Sequence, residues 1–234
     1  MFRSTSPHNL LLRSLAPEDL HRLAPHLEIV SLNSEDVLVQ PNISIDYAYF
    51  IEKGMASVVT MTPAGGSLEI SNIGREGMAG VCLLLDLDQT PLRTFVQMTG
   101  SALRIRAEAL KEAMDESGSL RRKLLRYAHI VMMQTAETAV ALARNTVNQR
   151  LARWLLLSHD RADGDEIPMT HERLALALGV RRSGVTVAMA ELEAEHMIKS
   201  RRGKIIVRDR GKLIDIAGGS YGRSETEYRR VVSA

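Results

Sequence analysis

The feature that most constrains the fold is the stretch LALALGVRRSGVTVAMAEL at residues 174–192. Apolar residues recur at helical spacing on both sides of Gly179, and a glycine in such a place is typical of a helix end followed by a tight turn. We therefore predict one helix over about 170–178 and a second over about 182–195. The following run, IKSRRGKIIVR, alternates around a glycine and predicts a β-hairpin. Helix, turn, helix and hairpin form the plan of a winged helix-turn-helix.

Two arginines, Arg181 and Arg182, stand where the second helix would begin. A positive charge there opposes the helix dipole by roughly 0.3 to 1 kcal/mol unless an anion neutralises it. In a helix-turn-helix this end enters the major groove of DNA, where an arginine fork bridges guanine O6 and N7. Between His171 and Lys212 the chain carries ten Lys or Arg and five Asp or Glu, in a protein whose net charge is +2. The segment is predicted to bind a polyanion; the alternative is an ordinary solvated helix face.

Eight residues are predicted to contact DNA, from the cap of the first helix, the start of the second helix and the hairpin turn. They are Thr170, Arg181, Arg182, Ser183, Thr186, Arg201, Arg202 and Lys204. The threonine would cap its helix, so that the helix N-terminus faces a phosphate. The residues of the second helix would reach base edges or a nearby phosphate. The hairpin residues would contact the backbone or minor groove, which adds salt-sensitive affinity with little sequence information.

The N-terminal half of the chain predicts a β-domain. A helical pattern comes first, and from about residue 29 to residue 106 short runs rich in β-branched residues alternate with turn formers, among them the Pro63-Ala64-Gly65-Gly66 cluster. Many short strands at this spacing indicate an all-β barrel or sandwich. A short helix over AEALKEAMDES follows.

Between Ser119 and about His159 the sequence has no proline or glycine, which predicts a long helix. Two apolar stripes run along it at alternating spacings of four and three, as in a coiled coil. The first stripe is Leu124, Ala128, Val131, Thr135, Thr138 and Leu142, and the second is Leu125, His129, Met132, Ala136, Ala139 and Ala143. One stripe would pack on the β-domain and the other on the same helix of a second subunit; we assign the first to the dimer interface. The alternative is a helix buried within one large monomer.

Composition excludes several classes of protein. The apolar runs are far shorter than the roughly 20 residues of a membrane-spanning helix and no leader peptide is evident, so we expect a cytoplasmic protein with no membrane partner. Cys82 is the single cysteine, and the histidines show no ligand spacing, so no metal site is expected. No nucleophile elbow, acid–base pair or phosphate loop indicates an enzyme. A ligand-sensing or protein-interaction module without specific DNA binding remains the alternative to a DNA-binding regulator.

Residues 10–215 resemble the Crp/Fnr superfamily of bacterial transcription regulators. The resemblance rests on FIEKGMASVV, GREGMAG and the Arg93-Thr94 pair, then the long helix, and then THERLALALGVRRSGVTVAMAELE with its hairpin, in that order. It implies an α+β fold in which an N-terminal β-roll of the cyclic-nucleotide-binding type (a double-stranded β-helix or jelly roll) with flanking helices precedes a long dimerisation helix and a C-terminal winged helix-turn-helix. It also implies palindromic promoter sites and RNA polymerase as a partner.

The domain boundaries expected from these features divide the chain into four parts. They are the β-roll effector domain at 1–118, the dimerisation helix at 119–145, the DNA-binding domain at 146–217 and a flexible tail at 218–234. The tail is expected to be loosely held because it is polar and carries paired glycines.

The resemblance implies an effector pocket at Arg93, Thr94 and Thr135, but the ligand motif of the family is altered. Members that bind cyclic AMP carry Gly-Glu and Arg-Ser-Ala where this chain has Gly80-Val81 and Arg93-Thr94-Phe95. Because valine accepts no hydrogen bond and the phenylalanine ring is bulky, we expect no productive cyclic AMP binding. The iron–sulfur cluster of the oxygen-sensing branch needs several cysteines, so no cofactor is predicted.

The predicted recognition helix also departs from the family. Ser183 and Val187 stand where many members carry a glutamate and a second arginine. The DNA sequence is therefore expected to differ from the usual half-site of the family.

Overall fold

A computed structural model describes residues 6–61 and 66–232 of the chain. The turn predicted at Pro63-Ala64-Gly65-Gly66 therefore lies, apart from its last glycine, outside the described residues. The fold is α+β, as predicted, and it divides into two compact units. Within the described residues, the first unit contains those up to Thr60, Ser71–Met133 and those from Thr226 on, and the second contains Met61–Ile70 and Gln134–Glu225.

Six strands form the sheet of the predicted β-domain, and the pattern of β-branched residues accounts for them. They are β1 (Glu28–Leu32), β2 (Val37–Val39), β3 (Tyr47–Met61), β4 (Ser67–Ile73), β5 (Met78–Ala79) and β6 (Arg93–Arg106). The order is β1-β6-β3-β4, with β2 on β6 and β5 on β3. The register between β3 and β6 shifts around Gly54, whose φ is +86°, and a side chain on Gly100 would collide with the Lys53 carbonyl oxygen. Such bulges bend long strands, which allows the sheet to curl.

Among the described residues, four α-helices of the N-terminal part of the chain belong wholly or partly to the first unit, and the C-terminal helix joins them in part. The four are α1 (Leu10–Arg13), α2 (Pro17–Leu23), α3 (Ala107–Glu116) and the first part of α4 (Gly118–Arg144). Phe50 and Leu103 of the sheet share one buried core with Leu120 and Leu124 of α4. The Tyr127 hydroxyl accepts a hydrogen bond from the backbone N–H of Met78 at 3.0 Å, which ties α4 to β5. The N-terminal helices and the sheet therefore bury one face of α4.

The long helix predicted to continue to residue 159 is interrupted. It ends at Arg144, and α5 (Val147–His159) begins after Thr146, whose side chain accepts from the Gln149 backbone while Gln149 caps the Thr146 N–H. This capping box is visible in the sequence as T-x-x-Q and marks a helix start without proline or glycine. The compact units also divide within α4, after Met133, and not at the predicted boundary of 118. Among the described residues no helix is both long enough and apolar enough to cross a membrane.

The structure contradicts part of the predicted dimer interface on α4. Leu124 and Ala128, predicted at the dimer interface, are buried in the core of their own chain. Val131, Thr135, Thr138 and Leu142 of the same stripe are half-buried. The members of the second stripe are all exposed, namely Leu125, His129, Met132, Ala136, Ala139 and Ala143. Periodicity identified both stripes, but it did not tell which of them the chain itself would cover.

The second unit contains the predicted winged helix-turn-helix. Its elements are the last part of α4, then α5, β7 (Glu166–Pro168), α6 (His171–Leu178), α7 (Arg182–Ala194), β8 (Ile198–Arg201), β9 (Lys204–Val207) and α8 (Arg210–Ala217). The strands form one antiparallel sheet in the order β7-β9-β8. Both predicted helices and the hairpin occur where the sequence indicated them.

The tail predicted to be flexible from residue 218 onward is structured in its described part. After the left-handed cap at Gly218, α9 (Arg223–Val231) forms, and Tyr228 and Val232 are buried in the core of the first unit. The Lys123 ammonium donates to the Val232 carbonyl at 2.7 Å. Tyr228 lies on α9 and Val232 directly follows its last residue, four positions further on, and the polar composition of the segment drew attention away from this apolar pair.

Candidate nucleic-acid interface

The first helix of the motif, α6, begins and ends on local signals. The Thr170 hydroxyl accepts from the Arg173 N–H at 3.3 Å, as the predicted cap requires. Gly179 has a left-handed φ of +64° and ends the helix. Leu174 and Leu178 of α6 are buried, like Val185 and Met189 of α7. The turn and this apolar contact hold α7 with its N-terminus exposed.

The N-terminus of α7 is an exposed cluster of positive charge. Arg181 is its N-cap residue and Arg182 its first helical residue, and both are exposed. No acidic residue lies in the first turn and no side chain caps it, so the free N–H groups and the helix dipole add to the charge of the two arginines. Ser183 is exposed beside them. The electrostatic potential at this end of the helix therefore favours an anion.

Thr186 is exposed as predicted, but its hydroxyl is already engaged. The Thr186 Oγ1 donates to the Arg182 carbonyl at 3.1 Å, and His171 Nδ1 lies 3.3 Å from the same oxygen. Because the single hydroxyl proton goes to the carbonyl, the contact with His171 requires a protonated Nδ1 as donor. Sequence reasoning missed His171, whose only signal was its place at the first position of α6.

The hairpin lies beside α7 and forms one cleft with it. The Ser200 N–H donates to the Glu193 carboxylate at 3.0 Å, and Gly203 has a φ of +76° in the turn. The cleft has a volume of about 250 Å³, and residues predicted separately meet there: Thr170, Arg182, Arg201, Arg202 and Lys204. His171 and Ser200 also line it. The structure thus brings the helix start, the cap of α6 and the hairpin turn into one positively charged surface.

Lys204 differs from the other predicted contacts of the hairpin. Its ammonium donates to the Glu166 carboxylate of β7 at 2.6 Å, so an internal anion partly neutralises it. Arg201, at the end of β8, and Arg202, in the turn, are exposed. The two arginines therefore supply most of the positive charge that the hairpin offers to a polyanion.

The role of the predicted effector residues Arg93, Thr94 and Thr135 in ligand binding stays a prediction. The Arg93 guanidinium carbon lies 5.3 Å from the centroid of the Phe95 ring, a cation–π contact within β6. Thr94 is buried, and Thr135 belongs to the second unit. Val81 begins a short 3-10 helix directly after Gly80, so no carboxylate follows that glycine.

Part of the second unit is similar to a known family of domains. The family model described as the Crp-like helix-turn-helix domain matches residues 149–216. The transcriptional regulator SdrP of Thermus thermophilus is 26% identical over 198 residues, which cover 81% of this chain and 94% of that protein. The global nitrogen regulator of Nostoc is 25% identical over 177 residues, covering 71% and 79% of the two chains.

Solved structures share the fold over most of the chain. FixK2 from Bradyrhizobium japonicum superposes with a TM-score of 0.72 at 18% identity and covers 82% of this chain and 98% of its own. A CRP-family transcriptional regulator from Thermus thermophilus has a TM-score of 0.68 at 19% identity, with coverages of 83% and 98%. At these identities the likeness concerns the fold, and it extends to both units.

Proposed function

We propose that this chain is a transcription regulator of the Crp/Fnr superfamily and that it acts as a homodimer that binds specific palindromic sites in double-stranded DNA. SdrP and the CRP-family protein from Thermus are transcriptional regulators, and the Nostoc protein is a global nitrogen regulator. One observation carries the proposal: the exposed Arg182 at the start of α7 and the arginines of the hairpin tip line the same cleft. A DNA target further implies location in the cytoplasm and contact with RNA polymerase at promoters.

The docking that this surface supports follows from its geometry. The N-terminal turn of α7 enters the major groove, because that turn is exposed and the opposite side of the helix is buried. The capped N-terminus of α6 faces a phosphate, as helix N-termini do with anions. The hairpin arginines then lie against the neighbouring backbone, where they add affinity without selecting a sequence.

The exposed stripe of α4 supports the homodimer. Its six members are spaced by four and three residues; Met132, one of them, is 68% exposed, and the neighbouring Val140 is 60% exposed. An apolar heptad stripe on a helix of this length is typical of a coiled-coil seam. Since two identical helices pair about a two-fold axis, two copies of α7 would be related by the same axis, and the DNA site would be palindromic.

A selection experiment tests the proposed function. The full-length protein is incubated with a library of random duplexes, and the bound fraction is amplified and sequenced over several rounds. We expect a two-fold symmetric sequence with half-sites one helical turn apart, about 10 base pairs between centres. Enrichment of no sequence at all, at a salt concentration where duplex DNA still binds, would contradict specific recognition and favour an interaction module.

The same proposal includes an effector domain that does not respond to cyclic AMP. Val81 replaces the carboxylate that would accept the ribose hydroxyl, and Arg93 lies over the Phe95 ring. We expect micromolar cyclic AMP or cyclic GMP to leave the melting temperature unchanged, because a ligand that does not bind the folded protein does not stabilise it. The selected duplex serves as the positive control. A clear rise in melting temperature with either nucleotide would contradict this part of the proposal.

A further inference from the structure

Val187 is a large apolar side chain on the exposed side of α7, and the packing of the helix does not need it. Its exposed fraction is 58%. The buried side of α7 is complete without it and consists of Val185, Ala188, Met189 and Leu192. The rest of the exposed side is polar or small.

The position of Val187 on the helix places it beside the residues of the groove-facing end. With 3.6 residues per turn, Ser183 and Val187 lie about 40° apart around the axis, one turn from each other. Val187 is therefore in the N-terminal half of α7, the half that approaches base edges in a helix-turn-helix. Ala190 and Ala194 continue the exposed apolar strip toward the C-terminal end of the helix.

We propose that Val187 determines specificity by contacting the C5-methyl group of a thymine in each half-site. The inference rests on the proposed function, since it assumes that α7 enters the major groove. Thymine is the base that carries a methyl group on its major-groove edge, and apolar side chains recognise that group by contact.

The chemistry of the side chain favours thymine over the other bases at this position. Every base presents donor or acceptor atoms in the major groove to which valine offers no hydrogen bond, but thymine adds a methyl group that valine can contact. A polar edge pressed against Val187 would lose water without gaining a partner, which is unfavourable. Ser183 alone selects weakly, because a hydroxyl both donates and accepts. Arg182 pairs with guanine, so Arg182 and Val187 together predict guanine and thymine within one half-site.

The test removes a single methyl group from the DNA. In the duplex obtained by selection, each thymine of both half-sites is replaced symmetrically by uracil, one position at a time, and affinity is measured by fluorescence anisotropy. For the unmodified protein we expect one symmetric position at which uracil weakens binding by about 4-fold per half-site, the effect of exposing one methyl group. For Val187→Ala the same change should have little effect. Val187→Thr, which keeps one methyl group, should lie between them.

Ile214→Ala is the matched control, since it shortens another exposed aliphatic residue of the second unit, on α8. It should respond to uracil as the unmodified protein does. If uracil weakened binding of the unmodified protein and of Val187→Ala equally at every thymine of the selected sequence, this inference would be wrong and the proposed function would stand. A selection that enriches no sequence would overturn both.

Discussion

We expect Arg182→Ala to lose most of the preference of the protein for the selected duplex over a random duplex. Arg182 is the first helical residue of α7, is exposed and lines the cleft shared with the hairpin. A bidentate contact to guanine contributes about 1 to 3 kcal/mol of discrimination, and a dimer makes it twice, so specific affinity should fall by about 30-fold to 10⁴-fold. Titrations of both duplexes at several salt concentrations measure the ratio directly.

Arg182→Lys is the sharpest control for this result. Lysine keeps the charge at the helix start but lacks the planar fork, so random binding should persist while discrimination is lost. Arg202→Ala should behave in the opposite way: binding to both duplexes weakens equally, and the slope of log affinity against log salt decreases by about 0.9 per lost phosphate contact. Full discrimination by Arg182→Lys would show that charge alone, and not base recognition, accounts for the role of Arg182.

The sequence predicts the DNA-binding half of the fold well because its signals are local. Thr170 caps α6, Gly179 ends it with a left-handed φ, and the buried positions of α7 repeat at helical spacing. Each of these features depends on residues a few positions away. The structure consequently has the two helices and the hairpin within a residue or two of the predicted bounds.

Other features depend on residues distant in sequence, and here prediction failed. Leu124 and Leu125 are adjacent and equally apolar, and only the packed chain shows that the first joins the core while the second is exposed. The ion pair of Lys204 with Glu166 joins two strands and partly neutralises Lys204, which the sequence did not indicate; its predicted contact with DNA stays a prediction. The break after α4 was different, since the capping box of Thr146 and Gln149 was present in the sequence.

Met132→Glu is expected to dissociate the dimer. Met132 lies in the middle of the exposed stripe of α4, where a two-fold axis would place it close to its own copy. Two carboxylates at the seam would repel each other and lose water, which is costly in an apolar interface. Light scattering should then report a monomer of 25.9 kDa. Affinity for the palindromic duplex should fall by about 100-fold or more. A monomer binds one half-site and loses the high effective concentration that a linked second subunit has at the other half-site.

Ile29→Glu is the matched control for this substitution. Ile29 is 72% exposed, against 68% for Met132, but it lies on β1 and outside the stripe. It introduces the same charge at an equally exposed apolar site, so the protein should remain dimeric with unchanged affinity. If Met132→Glu also remained dimeric, the subunits would have to meet through another surface, and the palindromic site would need a different two-fold axis. If both variants dissociated, added charge rather than the seam would govern association.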